Sequence, residues 1–352
     1  MIVSIILFFL IIGLLIISHE FGHYIVGRMC GVRVNEFTVG FGPKLFSFKK
    51  GETLFALRLL PLGGACIFDG MEGIGEDEKE LDEHALPNVS PLKRAATLFA
   101  GPFANFLLAF VFALVLVGFT GVDLPVIGSI IEGSAAEEAG LMQGDMITRI
   151  DGEHVHLYRE VSMFSSMYDG GKSIEIEYER DGARHTVVLT PKYDEQDGRY
   201  YIGIRGGAEI LDCNPFQVFQ YALYEVQYWM RYTVKSLGMI FTGKLGIDAL
   251  SGPVGMAEVV NDTYEEVRPY GFVSVILTMM NLLVLLSVNV GIINLVPLPA
   301  FDGGRLIFAL IELITGRRVP PEKEGIIHLV GIVAIILLMV VVMYHDIARL
   351  FK

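Results

Sequence analysis

Four stretches of the chain, near residues 1–25, 96–121, 271–296 and 326–344, are apolar and long enough to cross a bilayer, which takes about 20 helical residues. Met1 to Ser18 carries no charge and lacks the basic leader and small-residue cleavage site of a secretory signal, so the first stretch is expected to remain as a helix. Residues 36–64 contain two runs rich in Phe, Thr, Val and Leu, joined at Lys50-Gly51, a pattern that predicts a β-hairpin. Short β-like runs such as SIEIEYER and HTVVLTP follow between residues 126 and 208, separated by turn signals. Residues 214–241 are aromatic but interrupted by Glu225, Arg231 and Lys235, which suits a helix lying on the outer membrane surface better than a fifth span. The pattern predicts a polytopic α-helical membrane protein of about four transmembrane helices, with a membrane-associated β-hairpin and one inserted β/α domain. Its expected divisions are an N-terminal membrane part (1–121), an extracytoplasmic domain (122–208), an amphipathic linker (209–270) and a C-terminal membrane part (271–352).

Composition agrees with a lipid setting. Of 352 residues, 53% are hydrophobic and only 19% charged, and the mean hydropathy is +0.53. A net charge of -13 argues against a nucleic-acid partner, which would require a basic patch or stripe. Three cysteines, Cys30, Cys66 and Cys213, form neither a disulfide framework nor a thiolate metal site at close spacing. Basic residues flanking a span stay on the cytoplasmic side. Arg28 and Arg33 follow the first span, Lys93 and Arg94 precede the second, and Arg317, Arg318 and Lys323 precede the fourth. This bias places both termini outside the cell membrane, residues 28–92 in the cytoplasm and residues 122–270 outside. The acidic run EDEKELDE (76–83) weighs little in that rule and reads as a solvated loop.

Against this apolar background, ISHEFGH (17–23) puts two imidazoles and a carboxylate at the end of the first span. Ionisable groups at membrane depth need a cavity, a partner or a metal. His19 and His23, four residues apart, share one helix face at a spacing that suits a single tetrahedral Zn²⁺. Glu20 is turned about 100° from His19, which leaves it beside such an ion, placed to take the proton of an attacking water. Catalytic zinc takes a third protein ligand. Asp302, in NLVPLPAFDGGR (294–305), follows the third span, and parity delivers it to the same side as the histidines. Asp302 also suits the N-cap of a helix beginning at GGRLIFALIELI, and one residue can serve both uses. Asn294 has two uses as well, donation to a developing oxyanion or a bond to backbone. Pro297 and Pro299 keep this stretch out of a regular helix, which at membrane depth requires a cavity or protein surroundings. His154 and His156 fall in an expected turn and read as surface residues, while His84, His185, His328 and His345 have no partner at ligand spacing.

These residues resemble the site-2 protease family of intramembrane zinc metalloproteases, in particular its bacterial regulator-of-sigma-E protease branch. HEFGH matches the family's H-E-x-x-H. NLVPLPAFDGG is similar to its Asn-x-x-Pro-x-Pro-x-Leu-Asp-Gly pattern, with Phe301 in place of Leu. PLGG (61–64), GPFAN (101–105) and SGPVG (251–255) are further points of likeness. The resemblance implies zinc held by His19, His23 and Asp302, Glu20 as acid and base, and Asn294 holding substrate or intermediate. It also implies single-pass transmembrane substrates such as anti-sigma factors or leftover signal peptides. GSAAEEAGLMQGDMITRIDGEHV (133–155) resembles a PDZ domain of the bacterial protease type, which would take an exposed peptide terminus as an added strand or keep bulky ectodomains away. The hairpin either offers an edge to an unwound substrate or packs on the helices; the resemblance favours substrate handling. A metal transporter would have no use for Glu20 beside its ion, and a catalytically dead adaptor would not need the three ligands. No Walker-type glycine loop for a nucleotide is present.

Overall fold

The computed structural model describes residues 2–70, 82–168, 170–195, 199–206, 209–246 and 250–350. It divides into two compact units, Met1–Phe112 with Trp229–Lys352, and Ala113–Tyr228.

The first unit begins with α1 (Ile2–Met29), whose backbone groups can only be satisfied internally in lipid. A left-handed glycine ends it. Gly31 sits at φ +82, and the bonds Gly31 N–H to Arg28 and Val32 N–H to Gly27 close the helix in a Schellman motif. Strands β1 (Val34–Lys50) and β2 (Thr53–Phe68) pair antiparallel, with the turn at Gly51 (φ +64). The base of this hairpin is buried through Val34, Thr38, Ala56, Cys66 and Phe68, whereas Phe41, Leu45, Phe46 and Phe48 toward its tip are exposed. Tyr24 of α1 stacks edge-on against Phe37 and Phe55, fixing the hairpin base to the helix. Asp82, one of the two described residues of the acidic run, pairs with Arg33 at 2.5 Å; residues 76–81 lie outside the described residues. Helix α2 (Pro91–Thr120) follows.

Between the end of α2 and the start of the next long helix, the described residues of the second unit form β3 (Val122–Asp123), β4 (Ser129–Ile130), α3 (Ala135–Glu138), β5 (Met146–Ile150), β6 (Glu153–His154), α4 (Tyr158–Met167), β7 (Ile174–Arg180), β8 (Ala183–Leu189), β9 (Lys192–Asp194), β10 (Arg199–Tyr201), β11 (Ile204–Arg205) and β12 (Ile210–Leu211). Four of them form an antiparallel sheet in the order β6-β5-β7-β8. Alternation in β7 points Ile174, Ile176 and Tyr178 into a core shared with Ile127, Ile147, Ile150 and Val161, while the intervening glutamates stay outside it. Ser134 caps α3 through Glu137 N–H. At the Gly144-Asp145 turn, the buried Asp145 carboxylate accepts from Arg180 Nε and Nη2, each at 2.7 Å. The histidine pair expected in a turn is placed differently: His154 ends β6, and His156 stacks on Tyr224 with ring centroids 3.7 Å apart.

Helix α5 (Pro215–Phe241) is continuous and is not one of the helices apolar enough to span a membrane. Its interrupting charge Glu225 is spoken for by Arg159 of α4, at 2.8 Å. Then come α6 (Pro253–Val267), a 3₁₀ turn (Arg268–Tyr270), α7 (Phe272–Leu295), α8 (Asp302–Thr315) and α9 (Pro321–Leu350). Among the described residues, four helices are long and apolar enough to span: Ile2–Met29, Pro91–Thr120, Phe272–Leu295 and Lys323–Arg349. They differ in burial. Of the apolar window in α7, 44% is buried, against 11% in α9, so α7 is central and α9 peripheral. Phe8, Ile11 and Leu15 of α1 pack with Val260 of α6 and Met279, Leu282 and Leu283 of α7. The fully buried Asp346 of α9 accepts from Gly252 N–H (2.9 Å) and Gly255 N–H (2.8 Å), satisfying the start of α6.

Glu36 ties the two hairpin strands together. Burial opposes its charge, but hydrogen bonds from Arg58 and Lys44 outweigh that and hold its carboxyl below the ordinary 4.5. A carboxyl lowered on folding stabilises fully above its unfolded value, and that contribution is lost as pH falls through the folded value. Hydrogen exchange in β1 and β2, corrected for intrinsic rates, should therefore quicken on going from pH 6 to pH 3. Glu36→Gln should flatten that dependence; an unchanged pH response in the variant would show that Glu36 is not its source.

Candidate metal centre

His19 and His23 project from one face of α1, with ring centroids 4.8 Å apart and planes at 86°. Their Nε2 atoms lie 3.2 Å apart. Asp302 joins them from the far end of the chain: its Oδ2 is 3.0 Å from His19 Nε2 and 3.2 Å from His23 Nε2. Both α1 and α7 thus arrive at the site by their C-terminal ends. Asp302 is not the N-cap of α8. Phe301 holds that position, and Asp302 is the first helical residue, with its carboxylate directed to the histidines. Gly303 lets the turn double back on α7, since a methyl there would meet the Leu295 carbonyl oxygen at 2.4 Å. Arg94 of α2 pairs with Glu312 of α8 at 3.0 Å in nearly buried surroundings, fixing α8 beside the start of α2.

Hydrogen bonding decides which ring nitrogens are free. His23 Nδ1 lies 2.8 Å from the Thr97 carbonyl oxygen, which can only accept, so Nδ1 carries the proton. In the neutral ring Nε2 then presents a lone pair to the Asp302 carboxylate, itself an acceptor. Two acceptors at 3.2 Å repel unless a cation lies between them. A tetrahedral ion with bonds of about 2.0 Å holds its ligand atoms about 3.3 Å apart, close to the spacings here. Asn105 completes the argument. Its Nδ2 faces His19 Nδ1 at 3.4 Å, while its buried Oδ1 has no hydrogen-bond partner. Exchanging the two amide atoms lets Oδ1 accept from His19 Nδ1–H and frees His19 Nε2 for the same ion. The donor set fits zinc.

Glu20 lies beside His23, His19 and Asp302, close enough to feel their charges, with β2 packed against it near Cys66. The approach of β2 is close: a methyl at Gly64 would meet Glu20 Cγ at 2.9 Å. Burial pushes the Cys66 thiol up, far from a reactive thiolate. Asn294 takes the second of its two expected uses, donating to the Val290 carbonyl at 3.0 Å one turn back in α7. The amide that reaches a histidine is that of Asn105, a role the sequence did not reveal although GPFAN marked the segment. Gly101 of the same segment sits so close that a methyl there would fall 2.2 Å from His23 Nε2. Among the described residues, His19, His23 and Asp302 are the group whose ligand atoms converge as a metal requires.

A family model described as Peptidase family M50 matches residues 7–338. The zinc metalloprotease RasP of Geobacillus kaustophilus is 32% identical, covering 99% of this chain and 98% of that protein. A putative zinc metalloprotease of Clostridium acetobutylicum is 31% identical over 98% of this chain and 97% of its own length, and one of Agrobacterium fabrum is 34% identical over 97% and 95%. Among solved structures, the PDZ domain of the SdrC-like protein from Listeria innocua matches with a TM-score of 0.22 and 26% identity, covering 25% of this chain and 96% of that one.

Removing the amide by Asn105→Ala should weaken zinc binding about 10- to 100-fold, the range for a residue that orients a ligand imidazole. Asn105→Asp, which keeps an accepting oxygen, should recover most of it. Competition with a zinc chelator measures both; parental affinity in the alanine variant would exclude this role.

Proposed function

The chain belongs to peptidase family M50, and on that premise we propose that this zinc metalloprotease cuts peptide bonds within or near the transmembrane helices of membrane-protein substrates. His19, His23 and Asp302 hold the zinc. When bound, zinc supplies Lewis-acid polarisation of the scissile carbonyl and makes water a usable nucleophile near neutral pH. Glu20 takes the proton from the attacking water and passes it to the departing amine. Asn294 contacts substrate through the amide atoms its bond to Val290 leaves over. The observation that carries this reading is the meeting of two imidazole nitrogens and a carboxylate oxygen within 3.2 Å of one another, with Glu20 beside them.

A helix hides its carbonyls in its own hydrogen bonds, so the scissile segment must first become extended. In this reading β2, whose Gly64 abuts Glu20, presents its edge to that segment. The flanking basic residues support a site toward the cytoplasmic side of the cell membrane, with both termini outside. Residues 122–208 then face outward. There they receive an exposed peptide terminus, for which the groove of about 510 Å³ lined by Tyr158, Ser162, Ser165, Ile202 and Ile204 is suited, or hold back substrates with large ectodomains. Single-pass proteins such as anti-sigma factors and remnant signal peptides are the substrates this arrangement fits.

Glu20→Gln should lower cleavage of a model transmembrane substrate by at least about 10²-fold while zinc content stays at the parental level. Surviving cleavage would remove Glu20 from the reaction. Loss of zinc together with cleavage would make it a ligand instead of a proton carrier.

A further inference from the structure

The turn that carries Asp302, residues 296–301, must present one carboxylate oxygen to two imidazoles without the rigidity of a helix. Its backbone donors can be followed one by one. Val296 N–H bonds to Ile292 and Ile293, Leu298 N–H to Val296, and Phe301 N–H to Leu298. Pro297 and Pro299 have none. That leaves Ala300 N–H, which donates to His328 Nδ1 of α9 at 3.1 Å. Ala300 is also one of three non-glycine residues at positive φ (+81) among the described residues, a conformation that persists only when its surroundings impose it. A second contact lies three residues along α9. Gly331 is buried against Pro299, and a methyl there would fall 2.2 Å from Pro299 Cβ and 2.6 Å from its carbonyl carbon.

General packing does not explain these contacts. The apolar window of α9 is 11% buried, and its neighbouring side chains Ile327, Leu329, Val330 and Val333 are exposed. Where α9 is held, it is held at its ends, by Asp346 on the start of α6 and by His328 and Gly331 on the Asp302 turn. The eighteen helical steps from His328 to Asp346 cover about 27 Å, close to the apolar thickness of a bilayer.

We infer that His328 is a positioning residue for Asp302: by accepting Ala300 N–H, and with Gly331 seated on Pro299, it holds residues 297–301 in the conformation that delivers the carboxylate to His19 and His23. The accepting role fixes the neutral tautomer with its proton on Nε2. This rests on Asp302 being a zinc ligand.

The test is zinc affinity of the full chain in detergent, by chelator competition, with thermal unfolding of each zinc-free variant alongside. His328→Leu should weaken zinc binding about tenfold or more and lower cleavage at limiting zinc, with cleavage recovering as zinc is raised. His328→Gln, whose amide oxygen can accept from Ala300, should recover most of the affinity. Gly331→Val should reproduce the loss, and Gly325→Ala, which meets nothing within 4 Å, should not. Parental affinity in a folded His328→Leu, or a glutamine variant as weak as leucine, would overturn the inference. Asp302→Ala separates it from its premise. If Asp302→Ala binds zinc normally, the ligand assignment itself fails; if Asp302→Ala is weak while the α9 variants are normal, only the positioning role fails.

Discussion

Three acceptor atoms facing one another in a membrane protein are a constraint before they are a site. His19 Nε2, His23 Nε2 and Asp302 Oδ2 crowd together toward the C-terminal end of α1, and with both rings neutral and protonated at Nδ1 neither lipid nor neighbouring backbone can satisfy them as a set. A divalent cation can. With His23 Nδ1 committed to the Thr97 carbonyl, that side of the site has no second arrangement available to the neutral ring. The rest of the membrane unit can be understood as the means by which α1, α2, α7 and the turn before α8 reach one point.

Little apolar driving force exists between helices in lipid, where tails are as apolar as leucine, so close approach depends on small residues and buried polar bonds. The α1–α2 contact has both. A methyl on Gly22 would meet the Ala100 carbonyl oxygen at 2.3 Å, and Gly101 clears the space taken by His23. Ser18 donates to the Ala104 carbonyl, and Ser287 of α7 donates to that of Asn105. The segment from Thr97 to Asn105 therefore touches α1, α7 and both histidines. Its shape is dictated by the metal site as much as by the bilayer.

This distribution explains what could be read from the chain. The histidine pair was legible because an i,i+4 spacing is a property of one helix, and the spans because apolar runs of that length have few other uses. Asp302 was reachable only by counting crossings, which put it at the same end of the spans as the histidines it meets but could not separate ligation from capping; the cap falls to Phe301. Asn105, Thr97 and His328 were not legible in their roles. Each acts through a partner more than 25 residues away, and the contact exists only because particular glycines set the distance between helices. Asn294 shows the reverse. A motif suggested an outward-facing amide, while an i,i−4 bond within α7 accounts for part of it. His154 and His156 were misplaced in a turn because the two-residue strand β6 is too short to leave a periodic signature.

The hairpin meets the other demand on a protease working on helices. A helix advances about 1.5 Å per residue and a strand about 3.3 Å, so unwinding even four residues lengthens a substrate by roughly 7 Å and exposes its carbonyls. At membrane depth those groups need new partners at once. Glu36–Val39 of β1 pair with Leu54–Leu57 on one side and with Gly64–Ile67 on the other, which leaves the 64–67 run of β2 with a ladder partner on one side only among the described residues, and an edge of this kind is a ready template for an extended chain. Because Gly64 abuts Glu20, a segment held along β2 would, on the function proposed above, be presented to Glu20 by the same strand that compensates its unwinding. On that reading, extension and attack share one element, the long β-hairpin between the first two membrane helices.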